Sequence, residues 1–501
     1  MLVSFVVLYL LVSIAIGLYA ATRVKNSNDY VAAGRSLPLY ITVATVFATW
    51  FGSETVLGIS ATFLDEGLRG LWSDPLGASL CLVLVGLFFA RPLYRMNLVT
   101  LGDFYRQRYG RAVELLCSTA IVLSYLGWVS AQIIALGLVF NILSGGQIDK
   151  NAGMAIGAGI VLTYTLFGGM WSVALTDFFQ MTIIVVGLLY IAWLVGERAG
   201  GVGNVVSHAQ AAGKLDFLPA FEIKDIVAFV AGVLTMGFGS IPQQDVFQRV
   251  NSARDEKTAV RGSILGGSGY FIFAAVPLFI AYSATLIDPE LVAKFKDLDT
   301  QQVLPQLVLH DTPLFAQVMF FGALLSAIMS TASGTLLAPS VTFSENILRG
   351  FFPGMTDAAF LRLTRIVVVL FAIGVTFYAM SSDATIHKMV ENAYKVTLAT
   401  AFVPLAFGLY WKRATTQGAL FAIGAGLAGW IPLEVAISFG AVPADFILPP
   451  QFAGFICSML GMGFGSLLPQ WVRADREMHG HPGAPGHHPA AQHTVAHAHS
   501  H

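Results

Sequence analysis

ATVFATWFGSETVLGIS, residues 44–60, is apolar enough at its ends to lie in a membrane, yet its middle carries Trp50, Gly52, Ser53, Glu54 and Thr55. A charged side chain at the centre of a spanning helix costs roughly 2.5–3.5 kcal/mol on insertion scales. A glycine beside it weakens the helix further, because it lends no side-chain support and leaves the backbone free to turn. The stretch reads as a membrane helix that opens halfway.

Composition supplies the membrane. Of 501 residues, 56% are hydrophobic and only 11% charged, against about 25% charged in ordinary soluble domains. A spanning helix needs about 20 predominantly apolar residues. The chain offers thirteen such stretches, at 2–22, 38–62, 74–96, 112–143, 152–170, 173–195, 226–248, 261–286, 314–348, 361–382, 384–411, 417–438 and 452–471. The first lacks a basic start and a small-residue cleavage site, so it reads as a retained helix. A net charge of −1 gives no basic field for nucleic acid. Cys81, Cys117 and Cys457 fall inside apolar runs and read as small buried hydrophobes. The end of the chain, 473–501, is rich in Pro, Gly, Ala and His without apolar periodicity, and is expected to be a disordered cytoplasmic tail.

Charge between the spans sets orientation. Nineteen of the 28 lysines and arginines fall in one alternate set of loops and seven in the other, with Lys388 and Lys395 inside a span. The positive-inside rule then places the N-terminus outside and the C-terminus in the cytoplasm.

Two other spans share the opening stretch's character. The seventh contains MGFGSIPQQDVFQRV, 236–250, where Gly237, Gly239 and Pro242 fall mid-helix ahead of Gln243, Gln244 and Asp245. The ninth contains ALLSAIMSTASGTLLAPS, 323–340, with Ser330, Thr331 and Ser333 crowded into one turn. Opened backbone at membrane depth is tolerated only where it lines a cavity or is buried in protein. Spans two and seven, five apart, therefore read as discontinuous helices at matching places in two halves, the pattern of an inverted-repeat secondary transporter. Spans two to six (38–195) form one repeat and seven to eleven (226–411) the other. Residues 1–37 hold the first helix and its loop, and 412–472 two terminal helices.

At this point the residues resemble the sodium:solute symporter family. NSNDYVAAGRSLP looks like that family's first cytoplasmic loop, and YTLFGGMWSVALTDFFQ (164–180) and YWKRATTQGA (410–419) match two of its signatures. The resemblance implies an all-α integral membrane protein of about 13 helices with a five-plus-five inverted repeat, shared with sodium-coupled neurotransmitter transporters. It implies a sodium site between spans two and nine, built from the carbonyls of Ala48, Phe51 and Ala327 and the hydroxyls of Ser330 and Thr331. A hard cation wants oxygen ligands, and a broken helix frees carbonyls. Asp177 matches an acidic position near the sodium exit. Some relatives build a second sodium site from this Asp and two serines; here Ser333 fits, but Gly334 replaces the other serine, which weighs against a second ion.

The same resemblance puts the solute beside the breaks, with Trp50, Ser53, Glu54, Trp128 and Gln243 as candidates. ATWFG, GLFFARPL, QRYG and GSIPQQDVFQRV are most similar to the choline-transporter branch of the family, which holds a quaternary ammonium in an aromatic cage. Trp50 and Trp128 match two cage positions, while Ala78 and Gln243 stand at the other two. Half a cage plus Glu54 suits a smaller amine, an amino acid or another polar solute at least as well as choline. Glu54 then either faces a water-filled cavity and meets a polar group, a cation or a bound ion's field, or lies hydrated at the outer mouth.

The function these residues imply is sodium-driven import of a small organic solute at the plasma (inner) membrane. One sodium crossing ~100 mV releases about 2.3 kcal/mol, and a ~10-fold gradient adds about 1.4 kcal/mol, together enough for roughly 500-fold accumulation of a neutral solute. A transporter-like sensor acting with a separate signalling partner is the alternative; a channel would need a continuous polar pore. No nucleophile or metal cluster is suggested by spacing, so no enzymatic activity and no cofactor beyond the coupling sodium are expected. The partners expected are sodium, a small solute and the lipid bilayer.

Overall fold

The computed structural model describes residues 1–382, 384–443 and 446–472; the His-rich tail expected to be disordered lies outside the described residues. The described chain is helical almost throughout, its one β-bridge pairing Leu37 with Ala253. Eight helical stretches are long and apolar enough to cross a membrane, and two bent pairs raise the number to ten. Leu8, Leu11, Trp193, Ile272, Leu370 and Phe377 stand exposed on the outside, where lipid rather than water is the matching solvent. At the centre the gradient reverses. The helix Leu314–Thr342 is buried at every residue from 320 to 342, small and hydroxylated ones included.

Lys150–Arg198 runs 49 residues. At about 1.5 Å per residue it would reach more than twice the ~30 Å hydrocarbon thickness if straight. It turns instead at Gly169, whose φ of +48° favours glycine. A Cβ there would also come within 2.4 Å of the Tyr30 carbonyl. The turn falls two residues before the gap expected from hydropathy at 171–172.

Both expected helix breaks are present. Leu39–Trp50 stops at Phe51, whose ψ of 73° leaves the helical region, and the chain resumes as a widened turn over Glu54–Gly58 before Ile59–Glu66. Ile223–Gly239 ends before Pro242, and Gln244–Asn251 continues at 50° to it. Proline has no amide to give the helix and its ring clashes with the preceding turn; the Phe238 carbonyl, four residues before it, accepts instead from the Ile241 amide at 3.1 Å. The two broken helices are tied where one begins and the other ends. The Leu37 amide donates to the Ser252 carbonyl and the Arg254 amide to the Leu37 carbonyl, each at 3.0 Å.

Candidate functional site

The first break is lined by Leu314–Thr342, by Arg111–Leu143 and by Ile386–Thr400. Gly52 decides how closely they approach. A Cβ on Gly52 would lie 2.6 Å from the Thr331 hydroxyl and 2.6 Å from Glu54 Oε2. Hydroxyl and carboxylate therefore adjoin, at most twice that distance apart, across a position only glycine leaves open.

On the Thr331 side, the Thr331 hydroxyl donates to the Ala48 carbonyl at 3.2 Å. Ser330, one residue earlier, turns its hydroxyl to Asp177 Oδ1 at 2.5 Å, and Thr45 donates to Asp177 Oδ2 at 2.5 Å. All four side chains are buried. Phe51 sits in the break itself, whereas Ala327 lies inside an unbroken helix, where its carbonyl keeps one lone pair after serving the ladder. The Ser333 hydroxyl bonds back to the Ser330 carbonyl at 2.9 Å rather than turning to Asp177. Of the expected sodium ligands, the structure joins Thr331 to Ala48 at the break and Ser330 to Asp177 beside it.

On the Glu54 side, Trp50 stacks on Trp128 with ring centres 4.9 Å apart, and Tyr394 stands edge-on to both at 5.4 Å. Gln132 bridges the wall to the break: its amide donates to Glu54 Oε2 at 2.7 Å and its carbonyl accepts from the Ser53 amide at 3.0 Å. Trp128 Nε1 lies 3.4 Å from Glu54 Oε1 as donor. Glu54 is wholly buried, so the hydrated outer-mouth alternative does not hold. Among the described residues, no ion pair reaches Glu54 or its buried acidic neighbour Asp74. The Trp50 indole N–H, the Ser53 hydroxyl and the Tyr394 hydroxyl have no hydrogen-bond partner there either. Asp74 instead accepts from Tyr270, which also meets Thr55 at 3.1 Å. Gln243 stands apart from this group: its amide donates to Ser124 at 3.0 Å and to Thr397 at 3.4 Å.

A cavity of about 870 Å³ opens beside the Ile59–Glu66 half of the broken helix. Asp65, Glu66, Arg69, Lys296 and Glu391 line it, and it reaches inward to Ser73, next to Asp74. Trp50, Trp128, Tyr394 and Glu54 are buried and do not line it.

Sequence reasoning missed Gln132, Tyr394, Asp74 and Arg249. Gln132 carried a signal, because it is polar in the apolar run VSAQIIALG, one helical turn after Trp128. Asp245 and Arg249 are four apart, the spacing of a helical ion pair, and join at 3.3 Å. Tyr394 carried none, since a tyrosine in an amphipathic helix is ordinary.

A long-helix bundle with two interrupted helices, polar only around the interruptions, is the architecture of a multi-pass membrane transporter. A model of the Sodium:solute symporter family matches residues 30–426, and the chain belongs to that family. It is 28% identical over 447 residues to the human high affinity choline transporter 1, covering 85% of this chain and 75% of that protein. To the high-affinity proline transporter PutP of Bacillus subtilis it is 28% identical over 480 residues, 91% of this chain and 95% of that one. Among solved structures it superposes on a Na+-coupled sialic acid symporter in a substrate-bound outward-open state, with a TM-score of 0.78 at 18% identity, covering 93% and 98% of the two chains. A nucleobase-cation-symport-1 family transporter in a closed conformation gives 0.57 at 14% identity, over 87% and 93%. Sodium symport across a membrane is therefore the work of this family, and the relatives are transporters rather than enzymes.

Proposed function

We propose that this protein is a sodium-coupled secondary symporter that imports a small polar or cationic organic solute by alternating access, an amine or amino acid foremost. Sodium is held by the carbonyls of Ala48, Phe51 and Ala327 and the hydroxyls of Ser330 and Thr331. Trp50, Ser53, Glu54 and Trp128 hold the solute, whereas Gln243, bonded to Ser124 and Thr397, stands apart from them. Asp177 and Ser333 mark the sodium exit. The chain crosses the inner membrane thirteen times as five-plus-five repeats (38–195 and 226–411), N-terminus outside; the longest helical stretches each contain more than one crossing length.

The observation that carries this reading is the shared face of Gly52. The Thr331 hydroxyl and the Glu54 carboxylate meet on it, so a cation and a solute bound there would feel one another directly, as coupling requires. Buried polar groups are seldom left unpaired, and three orphaned ones ring the aromatic wall. Gln132 and Trp128 reach the Glu54 carboxyl with neutral donors, and among the described residues no cationic side chain does. Choline and proline, the solutes of the relatives, both carry a cationic nitrogen.

The test is a thermal-shift screen of the purified protein against amines, amino acids, sugars and carboxylates, with sodium and with potassium. A ligand stabilises the state it binds. Ammonium-bearing solutes should raise the Tm, and more so in sodium. Stabilisation by sugars or dicarboxylates alone would defeat the amine reading, and equal shifts in potassium would defeat sodium coupling.

A further inference from the structure

We infer that Asp74 is a proton-binding site, and that the hydrogen it carries ties together the two sides of the first helix break. Asp74 belongs to neither the sodium site nor the solute site proposed for this protein. It is 1% exposed, its Oδ2 has no hydrogen-bond partner, and no cationic side chain pairs with it among the described residues.

A line of oxygens runs from Asp74 to the break. Asp74 Oδ1 meets the Tyr270 hydroxyl, which lies 3.1 Å from the Thr55 hydroxyl. Thr55 in turn lies 2.8 Å from the carbonyl of Trp50, the last residue before the break. A carbonyl only accepts, and each hydroxyl has one hydrogen to give. Left ionised, Asp74 can only accept, from Tyr270. Thr55 must then choose: donating to Trp50 leaves nothing between Thr55 and Tyr270, and donating to Tyr270 takes its hydrogen from the Trp50 carbonyl. Two hydrogens cannot serve three contacts. A hydrogen on Asp74 supplies the third, so that Asp74 donates to Tyr270, Tyr270 to Thr55, and Thr55 to Trp50. It also removes the cost of burying a charged carboxylate with one oxygen unpartnered. Glu54 is then the single charge of the pair, which one ammonium answers.

The hydrogen has a route. Ser73, the preceding residue, lines the cavity of about 870 Å³, so a proton passes between Asp74 and cavity water when the line parts or closes. The groups around Asp74 act on it in opposite senses. A like charge on Glu54 opposes its ionisation, whereas His387, when charged, favours it. Asp65 and Glu66 face the same cavity from the Ile59–Glu66 helix, with Arg69 from the turn after it and Lys388 and Glu391 from Ile386–Thr400. Ile223–Gly239 packs on this turn with uncharged Val233, Met236 and Gly237.

The test is infrared difference spectroscopy of the purified full-length protein in sodium, without solute, at about pH 6, where a solvated aspartate is ionised. Wild type minus Asp74→Asn should show the C=O stretch of a protonated carboxyl, shifted down in heavy water. The band should persist in Glu54→Gln, which separates it from the other buried acid, and should shift in Tyr270→Phe, which lacks the hydroxyl that accepts its hydrogen. Absence of such a band, or its loss in Glu54→Gln, would overturn the proton site. A band unmoved by Tyr270→Phe would overturn the line to the break. Should Asp74→Asn fail to fold, the band's shift or constancy between wild type and Tyr270→Phe still decides. None of these outcomes bears on sodium or solute binding.

Discussion

Two pairs of buried carboxylates lie within this protein, and the chain treats them differently. Asp177 and Asp245 are spanned by Arg249, a cation supplied by the fold. Glu54 and Asp74 have only neutral donors, from Gln132, Trp128 and Tyr270. Uncompensated charge at membrane depth is expensive, so the second pair makes sense in a protein that meets a mobile cation there. Where the fold supplies its own cation the contact is permanent; the other pair is the one to which the proposed solute would bring its cation.

The largest effect expected is at the seam between the two regions. Replacing Ser330 and Thr331 together with alanine removes two oxygens beside the break. Contacts to a charged partner are worth about 1.5–3 kcal/mol each, so sodium affinity should fall by at least about 100-fold, read by radiolabelled sodium binding. Retained affinity would mean that the cation lies elsewhere. Next in size is Arg249→Gln alone, which leaves Asp177 and Asp245 facing one another. Breaking a buried ion pair by removing one partner costs about 3–5 kcal/mol, so the Tm of the ligand-free protein should drop by several degrees.

Glu54→Gln sharpens the contrast because its expected effect on the ligand-free protein is much smaller. No cationic side chain pairs with the carboxylate it removes, but both carboxylate oxygens accept from donors and the amide can keep only one of those bonds, so the Tm without solute should fall by less than in Arg249→Gln. Binding of an ammonium solute should meanwhile weaken about 10- to 150-fold, the worth of one charge-assisted hydrogen bond. A loss of stability like that of Arg249→Gln would mean that Glu54 is structurally paired, and the comparison between the two carboxylate pairs would fail.

How much of this could be read beforehand follows a physical line. Both breaks were legible, because glycine and proline act on their own backbone: Gly52 and Pro242 announce an opened helix whatever surrounds them. The turn at Gly169 was legible from hydropathy to within two residues. Thr331 meeting Ala48 was reachable only through family resemblance, since nothing local in either helix points to the other. The Asp177–Arg249 pair was not legible at all. It joins helices remote in sequence, and its enabling residue is Gly334, where a Cβ would run into the Arg249 guanidinium. Tyr394 escaped for a related reason: its ring matters through where its helix packs, against Trp50 and Trp128.

The smallest effect expected tests the aromatic wall separately from the charge. Trp50 presents one face to Trp128 at 4.9 Å and meets the edge of Tyr394, while its indole N–H has no partner among the described residues. A cation over an aromatic face gains about 0.5–2 kcal/mol, most for tryptophan. Trp50→Phe keeps a face of lower electron density and loses the N–H, so an ammonium solute should bind a few-fold more weakly. Trp50→Ala removes the face and opens the packing against Trp128, and should cost about 10-fold or more. Isothermal titration with the ammonium solute in sodium separates the cases. A graded series, Trp over Phe over Ala, places the cation on the ring; Phe and Ala equally impaired would assign Trp50's contribution to its N–H. In that event the wall would be a hydrogen-bonding surface, and Glu54 alone would carry recognition of the charge.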